Sequence, residues 1–241
     1  MITIYQIHAN ALEVVSSPTA SCWINVLEAT PEDAAQLEAW GFPSNYVTYA
    51  LDPGERARVE RSGGVTLIVF LIPHAKPTPT DTPYITVPLG ILLTENNIVT
   101  ICCTRSHILR DIAAGKIPDM PTVRKRYFIL KLLFRISEQY LKYLRTIDEA
   151  VAKIQVRLQN SLQNREVMEL LKYQKCLVYF ITALRSNELM LMRLQKSALL
   201  TQAEDEELLE DVLIEVRQAI ELTEISESIL GQMMGAFTSI I

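Results

Sequence analysis

The spacing of apolar residues changes once along the chain. From about residue 123 onward they recur at steps of three and four, the period of one helix face. Three long helices are predicted. The first spans about 123–160 and carries Tyr140, Leu144, Ile147, Val151, Ile154 and Leu158, whose 4-3-4-3-4 spacing is a heptad seam. The second, about 165–199, carries Val167, Leu171, Gln174, Val178, Ile181, Leu184, Leu191 and Leu194. The third, about 204–241, carries Leu209, Val212, Val216, Ile220, Thr223, Ser226, Leu230, Met233, Phe237 and Ile240. A helix over 123–160 would be about 57 Å long, so it must pack on its neighbours, on other copies, or on both. Polar stretches, Gln159–Asn164 and Thr201–Asp205, separate the three.

Before residue 123 the pattern is shorter and mixed. Strands are predicted at Ile2–Ile7, Ala11–Val15 and Cys22–Leu27. Thr30-Pro31-Glu32-Asp33 is a helix start, with Thr as cap, Pro at the first position and two acids in the first turn. That helix runs to Trp40 and stops at Gly41, and a second short helix covers Ser44–Leu51. Ser62-Gly63-Gly64 turns Arg56–Glu60 into Val65–Ile72 as a hairpin, and Glu95-Asn96-Asn97 turns Tyr84–Leu93 into Ile98–Cys103. Lys76–Pro83 is a proline-bearing loop, and Ser106 caps a helix that Gly115 closes after Ala114. Pro118 and Pro121 mark the boundary, since no proline follows. The predicted fold class is α+β: a mixed β-sheet with packed helices over 1–122, then three long helices over 123–241.

Composition adds exclusions. The chain has 241 residues, 49% hydrophobic and 21% charged, as a globular protein does. A net charge of −5 leaves no footprint for nucleic acid. The longest apolar run, Val65–Ile72, is far short of the roughly 20 residues that span a bilayer. No signal peptide is readable at the N-terminus. Four cysteines, Cys22, Cys102, Cys103 and Cys176, form no C-x-x-C pair and read as free thiols; Cys102 and Cys103 sit at the end of an apolar strand as small hydrophobes. The charge is segregated. Residues 123–160 carry nine basic and three acidic side chains, and 204–241 one basic and ten acidic. The two helices can attract each other within a chain or between chains.

Candidate chemistry is sparse. His8, His74 and His107 are scattered, and no catalytic or nucleotide-binding motif occurs, so no enzyme is predicted. Glu207 and Asp211, four apart in the acidic run Glu204–Asp211, share a helix face. Carboxylates suit Mg²⁺, and acids also favour a helix start through its dipole. Arg124, Lys125, Arg126, Lys131 and Arg135 could meet phosphate or an anionic membrane, but pairing with the acidic helix is the favoured reading. Gly231 and Gly235 form a small-x-x-x-small step that suits close packing of identical helices. The last charge is Glu227, and no stop signal precedes Ile241, so the last helix is expected to continue beyond the chain.

Several blocks resemble the CorA-type magnesium channel family. They are Leu209-Glu210-Asp211-Val212 with Gln218-Ala219-Ile220-Glu221, Ala236-Phe237 and Ser239-Ile240-Ile241; Leu51-Asp52-Pro53-Gly54-Glu55-Arg56; and Gln174-Lys175 with Ala183-Leu184-Arg185 and Asn187. The resemblance implies an α/β domain, a two-helix hairpin and a stalk helix that continues into the membrane as the pore. It also implies a homopentamer with Mg²⁺ or another divalent cation bound between protomers on the cytoplasmic side. The family's sensing carboxylate aligns with Asp211 through the shared Glu-Asp-Val. Many members carry acids just before the Leu-Asp, where this chain has Thr48, Tyr49 and Ala50, leaving Asp52 and Glu55 as the facing candidates. The family's Gly-Met-Asn loop and both membrane spans are absent from the chain, so membrane contact is expected only through missing C-terminal spans. The expected function is the cytoplasmic regulatory domain of a divalent cation channel. A zinc transporter of the same architecture, or a helical scaffold, are the alternatives.

Overall fold

The computed structural model describes residues 1–8, 11–78, 81–117, 120, 124–160, 164–197 and 202–238. In chain order the elements are β1 (Ile2–His8), β2 (Ala11–Val15), β3 (Cys22–Leu27), α1 (Pro31–Ala39), α2 (Ser44–Leu51), β4 (Arg58–Ser62), β5 (Val65–Ala75), β6 (Tyr84–Leu93), β7 (Ile98–Cys102), α3 (His107–Ala113), α4 (Lys125–Asn160), α5 (Asn164–Gln195) and α6 (Ala203–Thr238). The α+β class read from the pattern is the observed one. The predicted boundary at Pro118 and Pro121 lies outside the described residues.

Local chemistry accounts for the short elements. Thr30 caps α1 reciprocally: its hydroxyl accepts from the Asp33 amide, and the Asp33 carboxylate accepts from the Thr30 amide. Ser106 caps α3. Gly63 and Gly64 both take positive φ, 57° and 81°, the conformation a two-residue hairpin turn needs between β4 and β5.

The seven strands form one sheet in the order β2-β1-β3-β7-β6-β5-β4. Every pairing is antiparallel except β3 with β7. Its central strands are apolar on both faces because both faces are covered. Val65, Leu67 and Val69 of β5 meet α1 and α2 on one side, with Leu37, Tyr46, Val47 and Ala50. Ile68, Phe70 and Ile72 join the other side, whose cluster runs on without a break through α3, α4, α5 and α6. At Gly90 of β6 a methyl group would lie 2.2 Å from Ala50 Cβ, so α2 sits directly on the sheet there.

The predicted stripe of α4 is buried at every position. So is the α6 stripe at Leu209, Val212, Val216, Thr223, Ser226 and Leu230; Phe237 and Ile240 lie outside the described side chains. The α5 stripe needs correction. Val178 is 45% exposed, and the buried face is Leu170, Cys176, Leu177, Phe180, Ala183, Leu184, Asn187, Met190, Leu191 and Leu194. This helix packs on the sheet as well as on its helical neighbours, so its buried arc follows two surfaces rather than one seam.

The joint between sheet and helices is polar and closed. β4 starts at Arg58 opposite Val69, so beyond Val69 the β4 side of β5 carries no strand among the described residues. Leu71 lies opposite Pro88 of β6, and its own N–H and C=O point the other way, to that open side. Asn187 of α5 replaces the missing strand: its Oδ1 accepts from the Leu71 amide at 2.9 Å and its Nδ2 donates to the Leu71 carbonyl at 2.8 Å. The Tyr140 hydroxyl of α4 donates to the same carbonyl at 2.8 Å. Asn187 and Tyr140 are both completely buried. Unpaired, each backbone group would cost about 1–3 kcal/mol.

Candidate functional site

The head of α6 divides its acids by partner. Asp205 is buried and holds Arg124, Oδ1 to Nη2 at 3.1 Å, while the same guanidinium also pairs with Glu204 and Gln202. The predicted attraction between the basic and acidic helices is thus realised within one chain at this point. Three others of the basic set are committed locally: Lys125 donates to the Glu95 carbonyl, Lys131 lies over the Tyr127 ring, and Arg135 pairs with Glu138 at 2.8 Å.

One turn on, Glu207 and Asp211 are exposed, and among the described residues no ion pair reaches either. Glu215 extends this ladder by another turn and was missed from the sequence as a site residue. It is half-buried; burial first, then the charges of Glu138 and Asp211, push its carboxyl above the usual range, opposed by Arg145. The i, i+4 spacing from Asp211 was the available signal. Below the acids the same outer face carries exposed Ile214, Ile225 and Ile229, each more than half exposed. A methyl group added at Gly231 or Gly235 would meet nothing within 4 Å.

The two facing candidates differ. Asp52 follows α2 and is exposed; its Oδ1 accepts from the Gly54 amide at 2.8 Å, a local turn that leaves the other oxygen to solvent. Glu55 is spent. Its side chain is 9% exposed and its Oε1 accepts from Arg58 Nη2 at 2.7 Å and from the Arg56 amide at 2.8 Å. Arg58 in turn binds Glu60 at 2.7 Å and covers the Tyr49 ring at 4.4 Å. Of the three departing positions, Ala50 faces the sheet and only Thr48 is exposed. The Ala57 amide donates to Ser186 Oγ, anchoring this loop on α5.

Among the described residues no group of three or more His, Cys, Asp or Glu side chains could hold a metal ion. Within one chain, therefore, Glu207 and Asp211 are not joined by Asp52 or Glu55. Two exposed carboxylates a turn apart can hold a hard cation only with water or with ligands from elsewhere. Among the described residues no helix is long and apolar enough to cross a membrane.

A mixed sheet followed by long helices is a fold that this chain shares with solved transporter domains. The soluble domain of CorA from Methanocaldococcus jannaschii superposes with a TM-score of 0.86 at 22% identity, covering 98% of this chain and 95% of that one. The complete CorA magnesium transporter from the same organism gives 0.86 at 20% identity, covering all of this chain and 77% of that one. The ZntB cytoplasmic domain from Vibrio parahaemolyticus RIMD 2210633 gives 0.76 at 12% identity, covering 98% and 96%. A search of curated proteins found no match. The family profile described as CorA-like Mg2+ transporter protein matches residues 19–241, and the chain belongs to that family.

Proposed function

We propose that this chain is the cytoplasmic regulatory portion of a CorA-like divalent cation channel, and that its α6 head senses Mg²⁺ between protomers of a homopentamer. The observation that carries this reading is the exposed Glu207–Asp211 pair, left without a cation among the described residues while neighbouring Asp205 is fully paired. The correspondence along nearly the whole length with a CorA soluble domain supports the placement. Mg²⁺ bridging Asp211 and Glu207 to a neighbouring protomer would relieve repulsion between acidic helices and favour the closed assembly. Asp52 is the better facing ligand; Glu55 would first have to leave Arg58. Loss of the ion would shift the population towards splayed protomers and a moved stalk.

The test is to titrate the 241-residue chain with Mg²⁺ while following melting temperature and sedimentation. Both should rise by several millimolar, and Asp211→Ala should abolish the response. If neither moves in the parent protein, Asp211 is not a sensor here. A second reading keeps the architecture and changes the ion to zinc, favoured by the fit to the ZntB cytoplasmic domain. Titration with Zn²⁺ in parallel decides between them. A scaffold indifferent to both ions is the remaining outcome.

A further inference from the structure

The outward faces of α5 and α6 carry opposite charges. On α5, Leu189, Arg193 and Lys196 follow one another at steps of four and three, and all are exposed, Leu189 by 60%. Arg165, Lys175 and Arg185 of the same helix are spent on Glu169, Asp81 and Glu224. Among the described residues no ion pair or hydrogen bond reaches Arg193 or Lys196. On α6, Glu206, Glu210, Ile214 and Glu221 share one exposed face, Ile214 being 52% exposed. Glu206 and Glu221 have no partner among the described residues, and Glu210 accepts only from Gln195 Nε2 at 3.3 Å. The Glu207–Asp211 pair is centred further round the helix, on the side of Glu215 and α4.

The two faces are level. α5 and α6 lie side by side and run in opposite directions, and two bonds between them fix the alignment: Gln195 to Glu210, and Arg217 Nε to Glu188 Oε1 at 2.9 Å. Leu189 therefore stands within a helical turn of the height of Ile214, and Lys196 within a turn of Glu210. Apolar matches apolar and base matches acid at the same height, yet within one chain neither base reaches these carboxylates.

We propose that this α5 face is the docking surface for the acidic α6 face of a second copy of the chain, with Arg193 and Lys196 against Glu206 and Glu210 and with Leu189 against Ile214. Each chain carries both halves, so the contact is head-to-tail. Halves at one height join copies related by rotation about an axis along the helices, without a rise. Such contacts close into a ring rather than a filament. The apolar pair supplies buried area, and the charges set orientation and exclude a like face. No divalent ion takes part. This docking rests on the proposed function only in that copies of the chain assemble, and it uses a different set of carboxylates from the one assigned to the ion.

The experiment follows sedimentation of the 241-residue chain in EDTA as salt is raised. With a net charge of −5 on each copy, screening would strengthen an unspecific association. The proposed contact joins opposite charges, so association should instead weaken by at least about tenfold between about 0.05 M and about 0.5 M salt. At low salt, Arg193→Glu with Lys196→Glu should weaken it by at least about tenfold, and adding Glu206→Lys with Glu210→Lys to the same chain should restore it. Should a reversed chain fail to fold, Leu189→Ser with Ile214→Ser tests the apolar half, with a loss of association expected. A monomer in EDTA at low salt, association that strengthens with salt, or charge reversal with no loss or no restoration would each overturn the proposal. Mg²⁺ added to the same samples separates it from ion sensing. Association in EDTA that Mg²⁺ leaves unchanged supports the docking contact and counts against the sensor, and association that appears only with Mg²⁺ overturns the docking contact and leaves the sensor standing.

Discussion

Asn187 and Asp211 are polar residues on neighbouring long helices, and their environments are opposite. Asn187 is completely buried, and its two amide atoms are matched to the N–H and C=O of Leu71. Asp211 is exposed, and among the described residues no ion pair reaches it. The first closes an edge of the sheet that β4 leaves open; the second leaves its capacity for something outside the chain. The same contrast separates Glu55, held by Arg58, from Asp52, and Asp205, held by Arg124, from Glu207. Residue type does not distinguish these pairs. What distinguishes them is whether the fold has already used the side chain's hydrogen-bonding capacity.

The largest expected effect is on the closed side. Asn187→Ala should cost about 2–4 kcal/mol, because it strands the buried Leu71 amide, while Tyr140 still serves the carbonyl. Chemical denaturation measures it, and a loss below about half a kcal/mol would remove Asn187 from its role as the joint. Gly90→Ala comes next, at about 1–3 kcal/mol, since its methyl would collide with Ala50.

On the open side substitutions should do the reverse. Gly231→Ala or Gly235→Ala meets empty space and should raise the stability of an isolated chain by up to about 1 kcal/mol each. A simultaneous loss of assembly in sedimentation would show that the small residues serve contacts between copies. Asp211→Ala should leave the melting temperature in the absence of divalent ions nearly unchanged, within about 0.5 kcal/mol for a surface site. Its effect belongs in the ion titration alone.

Glu215 should give the smallest effect, and its sign is fixed by burial. Its folded carboxyl titrates above the usual 4.5, so its contribution to stability is fully present below that value and is lost as pH rises through the raised one. Glu215→Gln should therefore match the parent protein in acid and exceed its stability at neutral pH. Equal pH profiles for the two proteins would show that Glu215 is as well solvated as Asp211.

Much of this fold was legible in the chain because its signals are local. The capping box of α1, the diglycine turn and the heptad seam of α4 each lie within a few residues of the structure they specify. The acidic pair at the head of α6 was visible for the same reason: a four-residue step places both carboxylates on one face. The predicted face of α5 failed at Val178 because that helix answers to a sheet as well as to helices, and a single period cannot describe two contact surfaces.

The sequence by itself determined the elements and their order, the segregation of charge and the family to which the chain belongs. Only the tertiary structure decided which polar groups are spent. Asn187 meets Leu71 across 116 residues and Asp205 meets Arg124 across 81. Backbone propensity acts between near neighbours. The satisfaction of a donor or acceptor depends on whichever distant group the fold brings to it.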